Sequence, residues 1–135
     1  EIVNAYDNAL LYTDHVLAQL LTQLRAHEPR VDSALIYVSD HGESLGEKGL
    51  FLHGMPYAIA PAEQTKVPMV MWLSAGLQRT LALDLDCLRQ RAMKPASHDH
   101  LFHTLLALTD VRTALYEVPL DLTQECRRGA SASAP

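Results

Sequence analysis

The chain has 135 residues, 48% of them hydrophobic and 20% charged, a balance that fits one modest globular core and excludes wholesale disorder. Sixteen acidic residues against eleven basic ones give a formal charge of −5, the wrong sign for gripping a phosphate backbone, so nucleic acid is not an expected partner. The longest apolar run, Val67 to Leu73, is interrupted by Pro68 and falls far short of the ~20 residues that cross a bilayer.

From Asn4 to His27 the residues Leu10, Leu17, Leu20, Leu21 and Leu24 recur at three- and four-residue steps. That spacing predicts an amphipathic helix, ending before Pro29 because proline cannot continue the ladder. Ala34 to Val38 is short, apolar and rich in β-formers, and predicts a buried strand of the parallel type running on to Asp40. Ser39 to Pro61 holds four glycines and two prolines and reads as a long loop with at most one helical turn; loops of this length are usually functional. Val67 to Leu73 predicts a second buried strand. Polar residues from Ser74 then lead to a helix over Asp84 to Met93, and a last helix carries Leu101, Phe102, Leu105, Leu106 and Leu108, with Ser97 or Asp99 as its cap. The sequence Arg127 to Pro135 is low in complexity; residues 1–128 read as one domain and 129–135 as a disordered tail.

This alternation is that of a layered α/β fold, in which ligands sit beyond the carboxyl ends of the strands. The first strand delivers Ser39-Asp40-His41-Gly42 to that place. A carboxylate and an imidazole are both zinc ligands, and neighbouring residues reach one ion only if the chain bends, for which Gly42 gives backbone freedom. His53 follows in the same loop, where a neutral imidazole would bind a second ion and a protonated one would hold a phosphate oxygen or protonate a leaving group. Of the seven histidines, His98, His100 and His103 cluster in SHDHLFHT. On a helix only His100 and His103 share a face, so the cluster reads as polar residues at a helix start, with His98 kept as a substrate contact from the preceding loop. Glu43 and Glu47 read as a solvated loop face, with the orientation of an imidazole as the second option. Two cysteines, Cys87 and Cys126, leave one long-range disulfide and two core thiols equally open.

The string YVSDHGESLGEKGLFLHGMPYAIAP closely resembles the C-terminal part of the bacterial phosphoethanolamine transferases that decorate lipid A, including the plasmid-borne colistin-resistance enzymes. These belong to the alkaline phosphatase and sulfatase superfamily. NAYDNALLYTDHVL, VPMVMWLS and SHDHLFHTLLALTDV extend the resemblance over Asn4 to Arg128. It implies a layered α/β/α sulfatase-like domain, of which this chain would be the C-terminal portion. It also implies zinc-dependent transfer of phosphoethanolamine from phosphatidylethanolamine to lipid A through an intermediate on a threonine.

On that pattern Asp40 and His41 would bind the catalytic zinc, and His53 would contact the phosphoryl group or a second zinc. The enzyme would face the periplasm from membrane helices in its N-terminal part, and that oxidising compartment would suit a Cys87–Cys126 disulfide. No threonine here matches the nucleophile position, the sequence opens at Glu1 without a leader pattern, and membrane helices are lacking. The expectation is therefore a fragment of a longer polypeptide, inactive alone and weak toward zinc. A related sulfatase- or phosphatase-like hydrolase and a non-catalytic truncated remnant are the alternatives.

Overall fold

The computed structural model describes residues 1–28 and 30–129. The tail expected at 129–135 lies outside the described residues beyond Gly129. The described residues gather into two compact units, Glu1 to Ser74 and a second beginning at Ala75.

In the first unit, helix α1 spans Ile2–His27. Tyr6, Thr13, Leu17, Leu21 and Leu24 are its half-buried positions, one face at three-, four- and seven-residue steps; of the five leucines expected on that face, Leu10 and Leu20 are exposed instead. Strand β1, Ala34–Val38, pairs with β4, Met69–Leu73, from Ala34 opposite Leu73 to Val38 opposite Met69. The pairing is antiparallel, which corrects the parallel expectation: the one α-helix of the intervening chain is the short α2, Ala62–Thr65, and a parallel return needs a crossover of a dozen residues or more, usually helical. Nor are these strands buried. Only Leu73 of the ten paired residues is, because the sheet has two strands and Val70 faces out. Ser74 secures the far end, its Oγ accepting the Ser33 amide at 2.9 Å while its own amide donates to the Ser33 carbonyl at 2.8 Å.

The long loop is more ordered than its glycines suggested. Ser44–Leu45 (β2) and Phe51–Leu52 (β3) form a small antiparallel hairpin closed by a 3-10 turn over Glu47–Gly49. Gly46 and Gly49 adopt positive φ at its tip (125° and 74°), conformations that glycine reaches without steric cost.

In the second unit, α3 covers Ala75–Thr80 where a loop was expected, and α4 covers Leu85–Arg91. Helix α5, Asp99–Leu108, packs on a 3-10 turn at Val118–Leu120. Its N-cap is His98 rather than Ser97 or Asp99, and no side chain caps it. The Ser97 hydroxyl instead donates to Asp99 Oδ2 at 3.1 Å. Cys87 and Cys126 form a disulfide joining α4 to the 3-10 turn at Gln124–Cys126. The Tyr116 hydroxyl donates to the buried Asp121 carboxylate at 2.8 Å, and its burial, followed by this bond, pushes the phenol up to about 12.

Candidate functional site

β1 ends at Val38, two residues before Asp40, and the chain continues through Ser39 to Glu43 without regular structure. Local bonds shape this segment. The Ser39 hydroxyl donates to the His41 carbonyl at 2.7 Å, and the His41 amide donates to Asp40 Oδ1 at 3.0 Å. The Gly42 amide donates to the Gln64 carbonyl at 3.0 Å. Gly42 does not occupy a left-handed conformation; it lies so close to α2 that a Cβ would press on the Glu63 carbonyl oxygen. Close approach, rather than the backbone freedom expected from the sequence, is what requires glycine here.

Hydrogen bonding then fixes how the imidazoles are presented. His41 Nδ1 lies 2.9 Å from the Gly42 carbonyl oxygen, and His53 Nδ1 lies 3.0 Å from Glu43 Oε2. A carbonyl and a carboxylate only accept, so each Nδ1 carries a proton, and Nε2 is the atom left to bear the lone pair in the neutral form of either ring. The two ring centroids are 3.8 Å apart with planes tilted by 32°. Leu52, immediately before His53, is held in the left-handed region at φ 66°, and Gly54 follows at φ 99°. The chain bends sharply on both sides of His53, and a non-glycine residue so held marks local strain of the kind concentrated at functional sites.

His41, Glu43 and His53 each place one potential ligand atom within 4.8 Å of the other two. Glu43 is no solvated loop residue: its side chain is 22% exposed, one oxygen holds His53, and the other, Oε1, is buried without a hydrogen-bond partner. Asp40 stands beside this group with its carboxylate 88% exposed and Oδ2 3.8 Å from His41 Nε2. Glu47 is exposed, as expected of a solvated loop face, with its Oε2 accepting the Leu45 amide at 2.8 Å.

His98 is an exposed residue at the start of α5 in the second unit. His100 Nδ1 accepts the Ser97 amide at 3.1 Å, and buried His103 accepts the Glu117 amide at 2.9 Å, so the latter two serve local structure. Sequence reasoning passed over Gln64, which binds the loop at several points; nothing in its neighbourhood AEQT signals that role.

Among known proteins, a family model described as Sulfatase matches residues 1–111. The chain belongs to the Sulfatase family. Over 129 residues this Sulfatase-family chain is 46% identical to phosphoethanolamine transferase EptA of Escherichia coli (strain K12), a match covering 95% of the chain and 24% of the relative. It is 46% identical over 111 residues to phosphatidylethanolamine transferase Mcr-1 of Escherichia coli, covering 82% of the chain and 19% of that relative.

Solved structures similar to this Sulfatase-family chain include two of phosphoethanolamine transferases. One is the integral membrane protein lipooligosaccharide phosphoethanolamine transferase A (EptA) from Neisseria meningitidis, with a TM-score of 0.89 and 44% identity over 94% of this chain and 24% of that one. The other is the C-terminal periplasmic domain of phosphoethanolamine transferase EptC from Campylobacter jejuni, with a TM-score of 0.79 and 43% identity over 90% of this chain and 37% of that one. The α/β, sulfatase-like fold read from the sequence therefore holds. The chain spans about a quarter of EptA of Escherichia coli, 24% of its length. Among the described residues no helix is long and apolar enough to cross a membrane.

Proposed function

We propose that the protein carrying this chain transfers phosphoethanolamine from phosphatidylethanolamine to lipid A or a related lipopolysaccharide acceptor, at the periplasmic face of the bacterial inner membrane. One observation carries the reading: His41, Glu43 and His53 converge beyond the end of β1, one potential ligand atom of each within 4.8 Å of the other two. The names of the similar transferases supply the reaction class.

The donor set suits a zinc ion. Imidazole nitrogen and carboxylate oxygen are both zinc ligands, and the stranded Glu43 Oε1 is an acceptor that a nearby cation would satisfy. Zinc would be held by His41 through Nε2, with Asp40 as the carboxylate beside it. When bound, zinc supplies Lewis-acid polarisation of the phosphoryl oxygens and offsets charge in the transition state. His53 would meet the phosphoryl group through Nε2. In its protonated form it would hand a proton to the diacylglycerol oxygen as the phosphorus–oxygen bond to that leaving group breaks and an incoming threonine hydroxyl oxygen bonds to phosphorus. Glu43 keeps the ring in place by receiving Nδ1–H.

Calorimetric zinc titration tests this reading. The intact protein is expected to bind zinc with an affinity lost in His41→Ala, while the 135-residue chain alone binds weakly and transfers nothing. Zinc binding indifferent to His41→Ala overturns the metal assignment. Release of free phosphoethanolamine at the same rate with and without lipid A would replace the transferase by a hydrolase.

A further inference from the structure

We propose that Gln64 is the positioning residue of this site, locking the segment that bears His41 and Glu43 to the segment that bears His53. The inference rests on the reading of those residues as a metal and phosphoryl site, and extends it to a side chain outside the donor group. Gln64 sits in α2 with 7% of its surface exposed. Its Nε2 donates to Ser44 Oγ at 2.9 Å, and Ser44 is itself 1% exposed. Its Oε1 accepts the Met55 amide at 3.3 Å, and its backbone carbonyl accepts the Gly42 amide at 3.0 Å.

Each of these contacts falls next to or within two residues of one of the three converging side chains. Gly42 follows His41, Ser44 follows Glu43, and Met55 lies two residues beyond His53. Ser44 also pairs with Leu52, the residue before His53, so the Gln64 amide grips the hairpin from both strands' ends. An amide is suited to this task because it donates from one atom and accepts at another within one rigid plane. A leucine of similar size would fill the space and leave the Ser44 hydroxyl and the Met55 amide without partners. Metal sites tolerate displacements of only about 0.5 Å in their ligands, and residues that orient ligands typically change metal affinity by about 10- to 100-fold when removed.

The test compares the intact wild-type protein with Gln64→Leu, Gln64→Glu and Ser44→Ala. It measures zinc affinity by calorimetry, the visible d–d spectrum after cobalt(II) loading, and the metal-free melting temperature. Gln64→Leu is expected to weaken zinc binding by about 10-fold or more and to alter the cobalt band. Gln64→Glu restores both, since a carboxylate still accepts the Met55 amide and the Ser44 hydroxyl can turn to donate to it. Ser44→Ala weakens binding several-fold.

A merely structural glutamine would lower the melting temperature in Gln64→Leu while zinc affinity and the cobalt band of the folded protein stayed as in wild type, and that result overturns the inference. If Gln64→Leu does not fold, unchanged zinc affinity in Ser44→Ala overturns it instead. Wild-type zinc binding that persists in His41→Ala would bring down the site assignment, and this inference with it.

Discussion

Gly42 illustrates how much a missing methyl group can organise. Its amide reaches the Gln64 carbonyl only because nothing stands between its Cα and the Glu63 backbone. The obstruction in Gly42→Ala would be backbone, which cannot swing aside as a long side chain can. The expected cost is about 1–3 kcal/mol in chemical denaturation, the range of an overpacked core position, accompanied by weaker zinc binding. A neutral effect on both measurements would mean that the loop adjusts freely around α2. At this scale the sequence singled out Asp40, His41 and His53 as candidates by type, a carboxylate and imidazoles beside glycines near a strand end, and the structure brings the two imidazoles together. It held Glu43 only as a second option for orienting an imidazole, and it did not disclose Gln64. Their roles come from the hairpin folding back, which brings Glu43 to a histidine ten positions away, and solvated glutamates look the same in one dimension.

Helix caps are the clearest case of local chemistry at the level of elements. Asp84 caps α4 by accepting the Asp86 amide at 2.9 Å and the Cys87 amide at 3.1 Å. The Cys87 amide is the main cause that holds its carboxyl below the ordinary value, with the Asp86 amide and Arg128 adding to the effect and desolvation opposing it. Because the folded-state value is depressed, the cap's ionised stabilisation is present above the unfolded-state value of 3.8 and disappears as the pH falls through the folded one. Asp84→Asn keeps an acceptor but no charge, so its melting temperature should lie between those of wild type and Asp84→Ala at neutral pH, with wild type and Asn converging in acid. A gap that persists at acid pH would assign the difference to packing. The existence of α1, β1, β4, α4 and α5 was legible from period and composition, whereas strand direction was not. A thirty-residue excursion between strands returns either way, and only the absence of a long crossover helix between β1 and β4 makes the pairing antiparallel.

For the chain as a whole, the disulfide matters more than its small number of atoms suggests. Cys87 and Cys126 are separated by 39 positions, and closing a loop of that length removes about 4 kcal/mol worth of unfolded-state freedom in the chain-entropy account. Reduction should therefore lower the stability of the second unit by about 2–5 kcal/mol, read as a shift in its denaturant midpoint with and without dithiothreitol. An unchanged midpoint would mean that the pairs around it, such as the Asp84 amide on the Cys126 carbonyl at 2.8 Å, suffice without the covalent link. Cysteine counting left this pairing open; the family resemblance favoured it through the oxidising compartment that it implies.

Leu52 ties these scales together. A branched aliphatic residue forced to φ 66° costs about 1–2 kcal/mol relative to its relaxed conformations, and asparagine or glycine would tolerate that angle better. Laboratory evolution that rewards heat tolerance alone would accordingly favour replacing it. The survivors would gain thermal endurance by relaxing the backbone in front of His53, and on the proposed role of that residue would hand back turnover in exchange.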